Sequence, residues 1–410
     1  MTQPAERLGR ADRTVNGKRV GSAALGGGLI NTTTIGASNR AWVLNCLAEY
    51  GPLSRAQLAR LVRVPRGSVA PIVAGLLADG ALVELEPEPE QARMGKPPIP
   101  LWFGPRIGHS GAVQIQAGSF TCARVDQRGN ILVSRTEALP TGLTREEIED
   151  AVIALAHTVF GPDDVALSGV GLVWPAVMDA TGEAVDHCTP IPQLEGSCLV
   201  GKLQRALGLP VLPEDDARAL AIGQRWFGEA KRAPTLAALQ ISTGIGAGIV
   251  IGGQLLQVDG WFPEVGHMKV DLDGQPCDCG GRGCWETIAS LTWLRRQANQ
   301  LGLPSADQVT PGSLVDLASP PALALLDQYA KNIAVGIFNL ATCLGLRRFL
   351  LHGEVVTGGE LLAEMIRTHV NTGAKLPGMT SLSVEFSKLD QQAGLLGAAA
   401  LPLANAIMAA

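Results

Sequence analysis

Residues 277–284 read Cys277-Asp278-Cys279-Gly280-Gly281-Arg282-Gly283-Cys284, a C-x-C-x4-C run, and His267 stands ten residues upstream of its first cysteine. Three thiolates and an imidazole form the donor set of a closed tetrahedral zinc shell, and the intervening glycines let the chain turn tightly enough to bring three sulfurs to one ion. A closed shell makes the expected Zn2+ structural, one per chain, held by His267, Cys277, Cys279 and Cys284. Free or redox-active thiols are the alternative reading of the run. The nearby fourth ligand and the scarcity of structural disulfides in the cytosol weigh against it. The other five cysteines, Cys46, Cys122, Cys188, Cys198 and Cys343, are scattered and give no disulfide framework.

Around this loop the pattern is that of an α/β body. Upstream, extended segments at Ala112–Gln116, Thr121–Asp126 and Ile131–Arg135 include a turn at Gln127-Arg128-Gly129-Asn130, and a helix over Arg145–Val159 leads to an apolar strand at Gly169–Val173. Further on come helix Leu199–Leu207, a short strand at Val211 and Leu212, helix Asp216–Phe227, strand Ala237–Ser242 and its hairpin partner Ala247–Ile251. Helix Leu323–Leu344, strand Arg348–Leu351 and helix Gly359–His369 complete a body expected to form two lobes with a cleft between them.

The N-terminal part differs in charge and in period. The chain of 410 residues carries a net charge of −5, yet residues 1–80 hold ten Lys or Arg against four Asp or Glu, +6 there and therefore −11 over the rest. A small basic head on an acidic body points to nucleic acid as a partner of the head. Residues 1–35 lack apolar periodicity and read as a flexible basic arm. Ser38 is placed to cap a helix carrying Val43, Leu44 and Leu47, and Ser54 a second carrying Leu58 and Ala59; a turn at Val62–Pro65 precedes a third helix over Arg66–Ala78. Strand-like Ala81–Leu85 and Ile99–Phe103 follow, so residues 36–104 are expected to form a winged helix-turn-helix with a two-stranded wing. Pro71 lies inside the third helix, where proline removes a donor and crowds the preceding turn; the helix is expected to start later than Arg66 or to kink.

At 46% hydrophobic and 17% charged residues the chain is globular, not disordered. Its longest apolar stretches fall short of the ~20 residues of a membrane span, and no secretory pattern opens the sequence, so a cytoplasmic location is expected.

Glu264-Val265-Gly266-His267, followed by the cysteine run and ending Cys284-Trp285-Glu286, resembles the signature of the ROK family, which groups bacterial sugar-responsive repressors with sugar kinases. With the head included, the resemblance covers about residues 38–402. It implies an actin-like (ribonuclease H-like) body whose cleft binds a sugar through Glu264, His267 and Glu286. The family's catalytic aspartate, in an Asn-Asp-Ala-Asn segment, matches Asp216 of Asp215-Asp216-Ala217-Arg218, with both asparagines replaced. Acidic capping of the helix that starts there is an equally good account of Glu214, Asp215 and Asp216. The segment Thr189–Gly196 lacks the asparagine that contacts sugar in relatives; Trp261 and Phe262 offer ring faces for a sugar or for core packing.

The same resemblance separates regulator from kinase. Kinases of the family carry an Asp-x-Gly-x-Thr loop for magnesium and phosphate; here Gln114 and Gln116 replace the Asp and first Gly, and His352-Gly353 replaces a glycine pair. Ser242–Gly248 keeps the second glycine-rich loop, which a hairpin explains equally well. A sugar-responsive repressor without catalytic residues is therefore expected, an ATP-dependent sugar kinase with an appended head being the alternative. In the head, Leu53–Ala59 and Gly95-Lys96-Pro97-Pro98 resemble the helix-turn-helix and basic wing of ROK repressors. The expected DNA contacts are Arg66 and Ser68 to bases, Arg55 to phosphate and Lys96 to a minor groove. Partners are then an operator duplex and a sugar-type effector, with a homodimer or homotetramer supplying two heads.

Overall fold

The computed structural model describes residues 33–86, 98–161, 166–179, 181–231, 233–257, 263–372, 381–389 and 392–409. The arm over residues 1–32, Lys96, Trp261 and Phe262 lie outside them.

Three helices and a small sheet come first: α1 (Thr33–Tyr50), β1 (Leu53–Ser54), α2 (Arg55–Val62), α3 (Arg66–Ala78), β2 (Leu82–Glu84) and β3 (Pro100–Phe103). α1 begins at Thr33, so Ser38 lies inside it instead of capping it, and residues 33–35 belong to the helix, not to the arm. Ser54 does cap α2. Its hydroxyl accepts from the Gln57 amide while the Gln57 side chain accepts from the Ser54 amide, a reciprocal box contributing about 1 kcal/mol. Arg63, in the left-handed region at φ 55°, ends α2 and turns the chain into α3.

α3 starts at Arg66 and is unbroken across Pro71, contrary to a later start. The carbonyl that Pro71 leaves without a helical donor belongs to Gly67, which is exposed to water and has no Cβ to crowd the ring. The sheet has three strands, not two: β3 pairs with β2 on one side and with β1 on the other, Leu53 opposite Leu101. A two-residue strand leaves too little alternation to be read in sequence.

The body has two five-stranded sheets. The first, in the order β10-β7-β4-β5-β6, uses β4 (His109–Gln116), β5 (Ser119–Val125), β6 (Ile131–Ala138), β7 (Leu167–Trp174) and β10 (Val211–Asp215). α4 (Arg145–Val159) and α5 (Leu199–Leu207) cover its outer face; β8 (Val177–Met178) and β9 (Val185–His187) form a separate ribbon. α6 (Asp216–Trp226) leads to the second sheet, order β13-β12-β11-β14-β15, with β11 (Leu236–Ile241), β12 (Ile245–Ile251), β13 (Gln254–Leu255), β14 (Arg348–His352) and β15 (Ser383–Phe386). Its outer face carries α7 (Glu286–Ala289), α8 (Leu291–Gln300), α9 (Pro311–Leu317), α10 (Pro320–Leu344) and α11 (Gly359–Thr372). The last helix is α12 (Gln392–Ala409).

Strand alternation sorts residues by size. Val113 and Ile115 of β4 face the α4 and α5 core while Ala112 faces the opposite way; on β11, Leu239 and Ile241 face α10 while Ala238 turns inward. The inward surface of the first sheet carries Ala112, Ala123, Val125 and Val173 and that of the second Leu236, Ala238, Val250 and Leu350, and α6 and α12 lie between them. Their backbones touch: a Cβ at Gly223 would meet the Ala393 carbonyl at 2.2 Å, and one at Gly397 the Ala219 carbonyl at 2.0 Å. α12 then runs into the head, where Leu403 and Ile407 join Val43, Leu47, Leu58, Val73 and Leu101 in one core, flanked by Trp226 and Phe227 at the end of α6. Among the described residues no helix is long and apolar enough to cross a membrane.

Candidate functional site

The loop between β13 and α7 folds as a miniature hairpin. Lys269 pairs with Cys284 and Pro276 with Arg282; the Trp285 amide donates to the Met268 carbonyl at 2.8 Å and the Cys277 amide to that of Gly281 at 2.9 Å. This pairing brings His267, Cys277, Cys279 and Cys284 together, with one donor atom from each lying within 4.8 Å of the others. Cys279 Sγ is 3.6 Å from Cys284 Sγ and Cys277 Sγ 3.4 Å from His267 Nδ1. A tetrahedron with metal–sulfur bonds of about 2.3 Å and a metal–nitrogen bond of about 2.05 Å has edges of roughly 3.8 and 3.6 Å. The residues fit a tetrahedral metal site of three sulfurs and one nitrogen. The Lys269 ammonium lies 2.9 Å from Cys284 Sγ, a contact that raises its own pKa and offsets negative charge on the sulfurs.

Glu286 joins this cluster to the cleft. Its Oε1 is 3.2 Å from His267 Nδ1 and accepts from the Cys277 thiol at 2.9 Å, and burial together with this carboxylate raises the Cys277 pKa. A Cβ at Gly244, in the β11–β12 turn, would stand 3.6 Å from Oε2, so the carboxylate faces the glycine-rich loop. His267 presents Nδ1 to the cluster, which leaves Nε2 for another partner.

β10 ends in Glu214 and Asp215, and Asp216 opens α6. Asp215 accepts from the Arg218 amide at 3.0 Å and is the N-cap. Burial, with Asp216, Glu214 and Glu264 close by, pushes the Asp215 carboxyl up to about 7, and burial and Glu264 likewise raise Asp216. Glu264, exposed on the turn before His267, is therefore a charge neighbour of Asp216, as Glu286 is of His267. The segment after β9 borders it too: burial, Glu195 and Asp216 push the Cys188 thiol up to about 11.

Two further residues are not singled out by the sequence reading. Arg218, 5% exposed, binds Glu214 at 2.6 Å and donates to the Leu256 carbonyl at 2.9 Å. Gln240, whose side chain bonds Asp216, is the one polar residue of β11, a signal that the sequence does carry.

Of the head residues, Arg66 and Ser68 are exposed at the start of α3. Arg55 is bound to Glu84 of β2 at 2.7 Å, and Arg40 and Arg106 both pair with Asp79. Gln114 is 8% exposed and packs against α12, where a Cβ at Gly394 would meet its amide nitrogen at 2.6 Å. Burial lowers the His352 pKa to about 4, and neither ring nitrogen has a hydrogen-bond partner among the described residues.

The body is thus α/β, with two five-stranded sheets, a group of carboxylates at the start of α6 and a loop whose three cysteines and histidine fit a metal, and it carries a three-helix head. The ROK family profile matches residues 110–405, and the chain belongs to the ROK family. It is 26% identical to the xylose repressor of Bacillus subtilis (strain 168) over 375 residues, 90% of this chain and 96% of that protein. A crystal structure of a ROK family transcriptional regulator, a homolog of the E. coli MLC protein, superposes with a TM-score of 0.73 at 21% identity, covering 92% of this chain and 97% of the other. A ROK glucokinase from Streptomyces griseus in complex with glucose and AMPPNP gives 0.61 at 29% identity, covering 72% of this chain and 99% of its own.

Proposed function

We propose that this protein is a sugar-responsive, DNA-binding transcriptional repressor of carbohydrate metabolism genes without kinase activity. The observation that carries the reading is coverage. The similarity to the xylose repressor spans 90% of this chain, whereas the glucokinase accounts for 72% of it. Residues 33–104, α1 included, form a winged helix-turn-helix, residues 105–410 the sugar-sensing body and residues 1–32 a basic arm. Arg66 and Ser68 contact bases, and Arg55, once released from Glu84, and Lys96 contact the backbone and minor groove.

In the body, Asp216, Glu264, Glu286 and His267 Nε2 bind vicinal hydroxyls of the effector, the carboxylates accepting and the imidazole donating. Structural Zn2+, held by His267, Cys277, Cys279 and Cys284, would fix the ring and the loop between them. Gln114, a buried neutral amide where kinases place a magnesium-organising carboxylate, supports the absence of phosphoryl transfer.

The route from pocket to head is covalent and packed. α6 starts at Asp216 and ends at Trp226, against the head core; α12 lies along it and puts Leu403 and Ile407 inside that core. An effector that binds one lobe arrangement better than the other shifts the spacing of two heads in a homodimer or homotetramer. The test is retention of genomic DNA fragments by the full-length protein at fixed salt, with and without a pool of sugars. A few palindromic sites whose retention changes with sugar are expected. Magnesium-dependent phosphorylation of a hexose, lost in Asp216→Asn, would establish the kinase in its place.

A further inference from the structure

The outer face of α3 is unusual in being almost without polar groups. Val69, Val73 and Leu76 are buried in the head core, which leaves Gly67, Ala70, Pro71 and Ala74 exposed, with Arg66 and Ser68 at the N-terminal end. A helix apolar on every side is normally covered on every side. At the end of α2, in the turn and at the start of α3 stand Arg60, Arg63 and Arg66, all exposed and, among the described residues, without a carboxylate partner, whereas Arg40, Arg55 and Arg106 are taken by Asp79 and Glu84. Unpaired cations leading into an apolar strip suit a surface that is anionic at its rim and apolar at its floor. A DNA major groove has that layout where thymines present their C5-methyl groups between two phosphate rails.

Resting on the reading that the head binds an operator, we propose that α3 recognises its half-site through thymine methyls packed against Ala70, Pro71 and Ala74, with Arg66 reading one flanking base. Past Ser68 this face has no side chain able to hydrogen-bond a base edge, so the methyl group is the one feature left for it to distinguish. The short side chains also let the helix axis approach the groove floor closely. Ala70 and Ala74 are one turn apart, about 6 Å along the axis, against a base-pair spacing of about 3.4 Å. The contact therefore spans two to three consecutive A·T pairs, and Arg66, another turn back, falls at their edge. Pro71 has a use here: it adds apolar surface and no donor.

The test uses the full-length protein. A duplex is selected from a random library at fixed salt, and each thymine of the selected half-site is then replaced singly by deoxyuridine, which deletes only the C5-methyl. Loss of one buried methyl corresponds to about a fourfold weaker Kd. The expected result is such a loss at two or three adjacent positions and none at the others. Ala74→Gly, with its fold checked by thermal melting, should bring the thymine-to-uracil ratio at one of those positions close to one. A selected core rich in G·C, or one indifferent to uracil throughout, overturns the methyl reading and leaves DNA binding standing. No selected duplex at all overturns both.

Discussion

Gly336 of α10 sits beneath the ring of Trp285, and Gly336→Ala probes how rigidly the metal loop is seated. A Cβ there would lie 2.0 Å from Cε2 and 2.3 Å from Cδ2 and Cζ2 of a fully buried indole. Carbon contacts settle at about 3.5 Å or more, so the ring must retreat by about 1.5 Å. It is not free to do so, because Nε1 donates to the Asn332 carbonyl at 2.9 Å. Overpacking costs about 1–3 kcal/mol and the strained hydrogen bond about 1 kcal/mol more, while alanine regains about 1 kcal/mol of helix propensity. The net expectation is a loss of about 2 kcal/mol. Trp285 stands between Cys284 and Glu286, so the displacement also reaches the thiol cluster. Urea unfolding should show the loss, and competition with a metal chelator should show faster release of metal. A variant as stable as the parent with unchanged metal retention would refute the inference that this contact is rigid.

Removing a ligand should act more directly on the cluster. In Cys284→Ser, metal content measured by elemental analysis should fall from about one ion per chain to well below it, with a lower melting temperature; a metal-free parent that melts unchanged would contradict the structural role. The acidic cluster gives a pH signature. The Asp215 carboxyl is raised in the folded chain to about 7, from an ordinary value near 3.8, so the native state holds a proton that the unfolded state releases. Stability from this group is full at pH below about 4 and is lost as pH rises through about 7. Asp215→Asn keeps an N-cap and should flatten the fall in melting temperature between pH 5 and 8; an undiminished fall would assign it to other groups.

The loop of three cysteines and a histidine is legible in sequence because its chemistry is local: four side chains that fit a metal stand within eighteen residues, with glycines where the turns must be tight. The same holds for α2, whose capping box is a four-residue pattern, and for α3, whose bounds follow from a breaker at each end. Pro71 misleads a sequence reading because the cost of an internal proline depends on what faces the freed carbonyl, and here it is water. α12 cannot be read at all. It is apolar on all sides and carries Pro402, a pattern that fits a broken stretch as well as a helix, and only its enclosure between two sheets and its insertion into the head core make it continuous.

Sequence by itself determined most of the helices and strands of the body and the cluster of three cysteines and a histidine, since capping, periodicity and close spacing act over a few residues. The tertiary structure decided the rest. Asp216 and Glu264 are 48 positions apart, and their proximity, the burial that raises Asp215 and Asp216, and the bond from Arg218 to the Leu256 carbonyl exist only once β10, α6 and the segments after β12 converge. The link from that cleft to the head likewise arises from the contact of α6 with α12. Two glycines permit it, but only the packed layers between the two sheets bring the helices together.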